Sequence, residues 1–356
     1  MYINFWIPMA LASELEDTPI RVAALSQEFA LFRNSEGKAF CLADVCVHRG
    51  SSLSAGKVKS DCLQCPYHGW EFDGEGNCTH IPTIASDAKI PGRARVDSYP
   101  VIERYGVVFA FLGDLPEEER PDLLEISEWD QEGWSTTHLV YPWQANLERV
   151  VENGLDATHT EFVHPSAGLQ GSFDPEKLED ARLVEHPWGN EYLMSTPAVE
   201  ISHGHYGANH QWTFLGFKMG DMTGHFRFYS FVRPVDENSV IRYIFHARNF
   251  QLGEKMDKEM LKTNLGFEAE DRPVIEAMRP LESPLGPGEE LLLPEDEIML
   301  AYRRSLKKWR DNGWHIDSEK LHDAGRRCTF TIPSPARRGS SAWIRNTVPM
   351  SAMGGD

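Results

Sequence analysis

The sequence predicts an α+β protein of two unlike domains, on three observations. At 356 residues, 41% of them hydrophobic, the chain exceeds one ordinary domain and can bury a sizeable core. Residues 20–112 read as short strands broken by turns, whereas the part beyond residue 133 mixes helical spacing with strand-like runs. Between them, Gly113 to Gly133 is rich in acids, from Asp114 to Asp130, and holds two prolines, the composition of a linker. The expected domains are therefore 1–118 and 119–356.

In the first domain, Arg21 to Phe32 alternates loosely, and turns are predicted at Asn34-Ser35-Glu36-Gly37 and Asp73-Gly74-Glu75-Gly76, giving a small antiparallel β domain. Past the linker, Gln144 to Val163 has helical spacing, with Leu147, Val150, Val151 and Leu155 on one apolar stripe. Glu191 to Phe250 holds runs rich in Trp, Phe, Tyr and Val, punctuated by Gly204, Gly207, Gly220 and Asp236-Glu237-Asn238, which predicts an antiparallel sheet. Glu254 to Met278 and Ile298 to Trp309 have helical character.

The longest apolar run, Val107 to Leu112, is far too short to cross a bilayer. The apolar N-terminus has no preceding basic stretch and runs into Glu14, Glu16 and Asp17, unlike a signal peptide, so we expect a cytoplasmic protein with reduced thiols. A net charge of −19 argues against nucleic acid or anionic membrane as partner. The one basic run, Arg303 to Arg310, reads as a solvated helix face.

Two cysteine-histidine pairs stand in the first domain. Cys46-Val47-His48 and Cys65-Pro66-Tyr67-His68 form a C-x-H and a C-x2-H separated by sixteen residues. Two thiolates and two imidazoles are what a Rieske-type [2Fe-2S] cluster needs, the cysteines on one iron and the histidines on the other. Each pair is followed by a turn-permissive glycine, Gly50 or Gly69, as two loop tips folding over a cluster require. A zinc knuckle would need a second close cysteine pair, and Cys41 and Cys46 are spaced too widely for its hook. A plant-type ferredoxin set fails because fifteen residues separate Cys46 and Cys62. Cys41, Cys62, Cys78 and Cys328 are expected to be unpaired thiols.

The first helix of the second domain carries Asn153-x2-Asp156-x2-His159-x4-His164. Two histidines and one carboxylate make the facial set of non-heme Fe(II) oxygenases, which leaves positions open for dioxygen. Five residues apart, His159 and His164 would point about 140° apart on an ideal helix. Pro165 disfavours α conformation at His164, so the helix should end near Val163 and let the second imidazole swing back. The carboxylate must come from elsewhere, and Glu268-Ala269-Glu270-Asp271-Arg272-Pro273 is the best segment; spacing does not choose between Glu270 and Asp271, and an Asp before a Pro-started helix is also an ordinary N-cap. A rival pair, His203-x-His205, lacks a companion carboxylate and reads as structural or pocket-lining.

With both motifs in hand, the chain resembles the oxygenase α component of the Rieske non-heme iron oxygenases over nearly its whole length. The resemblance implies an N-terminal Rieske domain, a helix-grip catalytic domain with a curved antiparallel sheet over a long helix, and a head-to-tail homotrimer. It matches Cys46, His48, Cys65 and His68 to the cluster ligands, His159 and His164 to the iron histidines, and Asp271 to the iron aspartate. It further implies that Asp156 bridges His68 of a neighbouring chain to His159, because the two metals of one chain are too far apart for useful electron transfer. Asn153 would be an outer residue or an occasional ligand.

The expected activity is that of a terminal oxygenase passing single electrons through the cluster to Fe(II) and dioxygen beside a small hydrophobic molecule. No dinucleotide-binding glycine motif, flavin motif or ferredoxin cysteine set is present, so NAD(P)H would act only through a separate reductase, with or without a ferredoxin. The short chain resembles the monooxygenase and demethylase branch more than cis-dihydroxylating α subunits. A plain Rieske electron carrier and a ligand-binding helix-grip module are the readings from other classes. The aromatic and Met-rich strands from Trp212 to Tyr229, including Phe214, Phe217, Met219, Met222, Phe226 and Phe228, are either pocket lining or core.

Overall fold

The computed structural model describes residues 1–167, 179–196, 199–219, 222–286 and 290–352. The side chains of Met219 and Met222, and Gly220, lie outside the described residues. Two compact units are present, Met1–Pro121 with Arg310–Asp356, and Asp122–Trp309.

The first unit opens with β1 (Phe5–Leu11), β2 (Ile20–Ala24), β3 (Gln27–Arg33) and β4 (Ala39–Ala43). The stretch expected as one alternating run divides at Leu25-Ser26, both at positive φ, which joins β2 and β3 as a hairpin. Neither residue is the glycine or asparagine that announces such a turn. The turn at Asn34 forms as expected, its Oδ1 accepting from the amides of Glu36 (3.2 Å) and Lys38 (2.9 Å). A second small sheet holds β5 (Lys57–Lys59), β6 (Cys62–Gln64), β7 (Glu71–Phe72) and β8 (Cys78–His80) in that order. Asp73 closes the β7–β8 turn by accepting from the amides of Glu75 (3.0 Å) and Asn77 (2.8 Å). After β9 (Ser98–Tyr99) and β10 (Val101–Arg104), the apolar run is β11 (Val107–Leu112), wholly buried as the middle strand of β1-β11-β10. A central strand covered on both faces reads as continuous apolar sequence.

The second unit is a seven-stranded antiparallel sheet with helices. It begins with β12 (Ser135–Trp143), α1 (Leu147–Leu155) and α2 (Thr160–Val163). The single helix expected over Gln144 to Val163 is broken at Asp156, whose backbone is extended (φ −88°, ψ 108°). The sheet continues through β13 (Glu179–His186), β14 (Gly189–Ser195), β15 (Val199–Tyr206), β16 (His210–Met219), β17 (Met222–Asp236) and β18 (Ser239–Arg248), in the spatial order β12-β18-β17-β16-β15-β14-β13. A 23-residue helix, α3 (Glu254–Glu276), packs along β12, and α1 packs on β15 and β16. Gly154 permits that last approach, since a Cβ there would lie 2.0 Å from Gln211 Nε2. In α4 (Glu297–Asp311), Arg303 is a correction to the solvated basic face: it is buried, donating to Glu152 at 2.6 Å and 3.0 Å and to Glu290 at 2.7 Å.

The chain then returns to the first unit through α5 (Ser318–Gly325), β19 (Phe330–Thr331) and β20 (Asn346–Thr347), so the expected 119–356 domain is corrected. Ile316, Ile332 and Val348 fill the core of the N-terminal sheets. Buried Asp97 accepts from Arg337 Nε and Nη2 (both 2.7 Å), Thr331 (2.8 Å) and Ser334 (2.6 Å). The acidic linker was visible in composition; a return made by scattered apolar residues and one buried ion pair was not.

Candidate metal centres and substrate cavity

The cluster candidates sit on two loops built alike. In the loop after β4, the Gly50 amide donates to the Cys46 carbonyl (2.9 Å) and the Cys46 amide to Ser51 (2.8 Å). After β6, the Gly69 amide donates to the Cys65 carbonyl (3.1 Å) and the Cys65 amide to Trp70 (2.8 Å). Gly50 and Gly69 adopt φ of +76° and +70°, the region that favours glycine. Both thiols are buried, while His48 is exposed and His68 half-buried. The two imidazoles meet with centroids 4.5 Å apart, and His48 stacks on Trp70 at 4.7 Å. Two soft sulfurs at the bottom of two loops and two imidazoles at their tips fit a Rieske [2Fe-2S] cluster. The six cysteines form no disulfide.

The break in the α1–α2 segment is made by Asp156 itself. Its Oδ1 accepts from the Thr158 amide (2.8 Å), the Thr158 hydroxyl (2.7 Å) and the His159 amide (3.2 Å), an arrangement that starts the next turn of chain. Its backbone carbonyl accepts from His159 Nδ1 at 2.6 Å. The carboxylate was expected to hold the His159 ring, but Oδ2 is 3.9 Å from Nδ1 and the carbonyl holds it instead. At the other end, His164 is the residue before Pro165 and leaves the helix (φ −115°, ψ 65°), as expected.

Asp271 lies inside α3, which runs through Pro273, so the N-cap alternative is excluded. Its Oδ1 stands 3.4 Å from His159 Nε2 and 3.2 Å from His164 Nε2. Glu270 accepts from His164 Nδ1 at 2.8 Å, on the far side of the ring. Carbonyl and carboxylate oxygens can only accept, so each Nδ1 carries the hydrogen and each Nε2 lone pair turns toward Asp271. One donor atom each from His159, His164 and Asp271 lies within 4.8 Å of the others. Asp271 Oδ1 is buried with no aligned hydrogen-bond donor among the described residues. Burial alone would raise the Asp271 carboxyl, yet positive charge on the His159 and His164 imidazoles, as on a cation seated among the three, would hold it well below the usual carboxylate range. Two imidazole lone pairs converging on an unsatisfied carboxylate oxygen fit a mononuclear iron. Asn153 Nδ2 is 3.4 Å from His159 Nε2, at the edge of this set.

A cavity of about 190 Å³ opens on the three residues. The sheet supplies one wall through a cross-strand row, His203–Thr213–Phe228–His246, with Ile201–Leu215–Phe226 beside it. Of the rival pair, His203 lines the cavity, whereas His205 is structural, accepting from Asn190 Nδ2 (2.9 Å) and packing on Tyr302. Helix α3 supplies the opposite wall through Asn264, Phe267, Glu268 and Asp271. Asn264 was passed over in the sequence, and Glu268 was read only as part of the carboxylate segment; the signal for a shared wall was their i, i+4, i+7 spacing to Asp271, hidden because the stripe is polar.

Residues 5–100 match the family model described as the Rieske [2Fe-2S] domain, and residues 192–312 match the vanillate O-demethylase oxygenase C-terminal domain. The chain is 26% identical over 329 residues to a methylxanthine N1-demethylase of Pseudomonas putida, covering 86% of this chain and 89% of that one. It is 32% identical over 203 residues to a cholesterol 7-desaturase of Hemicentrotus pulcherrimus, covering 54% of this chain but 42% of that longer one. Dicamba monooxygenase bound to dicamba is a structural neighbour, with a TM-score of 0.71 and 26% identity over 90% of this chain and 98% of that one. Among the described residues no helix is long and apolar enough to cross a membrane. Because the two family models fall in this order along the chain, and proteins named as a demethylase and a monooxygenase match it over most of its length, the protein belongs to the Rieske non-heme iron oxygenases, which hold a Rieske cluster and a mononuclear iron and use dioxygen.

Proposed function

We propose that this chain is a terminal oxygenase that takes electrons from a separate reductase, directly or through a ferredoxin, and hydroxylates or oxidatively demethylates a small ring compound. The observation that carries it is the His159–His164–Asp271 set opening on a cavity with an apolar sheet wall. The cluster would be held by Cys46, His48, Cys65 and His68, and the iron by His159, His164 and Asp271. When bound, the cluster delivers single electrons and the iron is where dioxygen is activated.

The chain's own residues keep that site in order. Asp156 through its carbonyl and Glu270 through its carboxylate fix the two imidazole rings with Nε2 inward, which also raises their basicity as ligands. Phe226, Phe228 and Leu215 exclude water and seat an apolar ring. The Asp156 side chain is 30% exposed, and the hydrogen bonds to Thr158 and the His159 amide use its Oδ1 and leave Oδ2 out. In a head-to-tail homotrimer this oxygen would accept from His68 of the next chain, joining the cluster of one protomer to the iron site of another. Relatives named as a demethylase and a monooxygenase, matched over most of the chain, support one-oxygen chemistry over cis-dihydroxylation.

The test is oxygen uptake by the iron-loaded protein with a surrogate reductase and a panel of methylated and unmethylated ring compounds. Substrate-dependent uptake with release of formaldehyde or a hydroxylated product is expected, and His159→Ala should abolish it with the cluster spectrum intact. Reduction of the cluster without any substrate-dependent uptake across the panel would leave an electron carrier instead.

A further inference from the structure

We propose that the cavity takes an uncharged, single-ring-sized substrate bearing a hydrogen-bond acceptor, recognised through Asn264, and refuses the corresponding anion. The proposal rests on the oxygenase reading above and narrows its substrate class.

Charge is the first ground. Among the described residues lining the cavity the acids are Asp156, Glu268 and Asp271, and Arg242 is the one Lys or Arg. Arg242 is paired: Nη1 is 2.7 Å from Glu268 Oε2, with both side chains buried, and its guanidinium lies 4.5 Å over the Trp143 ring; burial pushes the Glu268 carboxyl up to about 7 against the pull of Arg242, so the pair is fully formed above that pH. A ferrous ion brings two positive charges, which the two remaining carboxylates balance. Burial pushes the His203 and His246 imidazoles down to about 4 and about 3, so neither offers a cation near neutral pH. With Glu268 ionised, an entering carboxylate or sulfonate would therefore be desolvated with no free counter-charge.

The second ground is a set of buried polar atoms without partners. Asn264 Nδ2, His203 Nδ1 and His246 Nδ1 have no hydrogen-bond partner among the described residues, and their side chains are at most 4% exposed. Native proteins rarely leave such atoms unsatisfied, and a ligand atom is the natural partner where they line a cavity. Asn264 precedes Asp271 by two helical turns, on the face of α3 that carries the iron carboxylate. An acceptor bonded to its amide would sit at the α3 wall and turn the rest of the ring across the iron site. His246, at the end of the cross-strand row, can bond a second polar atom.

Size sets the limit. A cavity of roughly 150 Å³ holds benzene, and the present one, at about 190 Å³, leaves room for a ring with a small polar substituent.

The test measures binding alone, by equilibrium dialysis of the holoenzyme kept oxidised and without oxygen, at a pH above the range in which Glu268 titrates, using benzamide, benzoate and toluene as probes. Benzamide should bind at least about tenfold more tightly than benzoate, as desolvating an unpaired charge demands. Glu268→Gln frees the Arg242 charge and should tighten benzoate about tenfold while moving benzamide far less. Asn264→Leu should weaken benzamide about fivefold and leave toluene unchanged, the loss of one hydrogen bond. Benzoate binding the wild-type protein as tightly as benzamide would overturn the proposal, and that comparison needs no variant to fold. Unaltered benzoate affinity in a folded Glu268→Gln protein would overturn the charge argument. If the binding order holds but no uncharged ring compound supports oxygen uptake, the oxygenase reading fails while the ligand class stands.

Discussion

In each cysteine loop the closing hydrogen bonds run between residues four and five apart, so the loop fixes its own shape; the iron set instead joins a helix break at Asp156 to the middle of a helix that starts ninety residues after His164. The difference teaches where sequence is informative. A site made of turns writes its geometry into local spacing, and a site made by packing writes only its donor types.

The largest expected effect falls on the link between the two centres. Asp156→Asn keeps the volume and the carbonyl that orients His159 but removes the charge. Both metals should stay bound and the cluster should still be reduced by its partner, while electron delivery to the iron falls by orders of magnitude, read by single-turnover kinetics. In the proposed head-to-tail trimer, hybrids of Asp156→Asn chains with His68-disabled chains would hold some junctions that pair two intact elements, so activity should return although both parents are inactive. Absence of recovery in demonstrably mixed trimers would break the inter-chain route.

Next comes the support of the iron set. Glu270→Gln weakens the hold on His164 Nδ1 and should loosen iron binding about 10- to 100-fold, the usual effect of an outer hydrogen-bond partner. Titration of the iron-free protein with Fe(II) measures it, and unchanged affinity would mean that packing alone orients His164.

The smallest effect concerns a contact made to a cluster loop from a distant part of the chain. Arg345, in the returning C-terminal segment, donates from Nη2 to the Cys46 carbonyl at 2.8 Å. A positive charge there favours the reduced cluster, so Arg345→Met should lower the reduction potential modestly without loss of cluster. A potential unmoved by the change would show that the loops shield the cluster from that segment.

These contrasts explain what the sequence could reveal. The Asn34 and Asp73 turns, the cysteine-histidine loops and the span of α3 were legible because each follows from neighbours in the chain. The Leu25-Ser26 hairpin was hidden because its residues are not turn formers, and the break at Asp156 because the helical spacing continues across it. Helix α3 buries Asn264, Glu268 and Asp271 on one face, so a search for apolar periodicity passes over the wall of the cavity. Spacing could not separate Glu270 from Asp271, since adjacent helical residues diverge by about 100° and only the partner's position shows which one turns inward.

That distinction gives the most direct test of two separate metal centres in this chain. Iron and inorganic sulfide would be counted per chain, with the cluster spectrum, in wild-type, Asp271→Ala and Glu270→Ala proteins. The wild type should hold about three irons and about two sulfides. Asp271→Ala should drop to about two irons with an unchanged cluster spectrum, whereas Glu270→Ala should retain its mononuclear iron at saturating Fe(II). A colourless, zinc-containing protein would contradict the account at its root, and full iron in Asp271→Ala with loss of one iron in Glu270→Ala would contradict the assignment of the carboxylate.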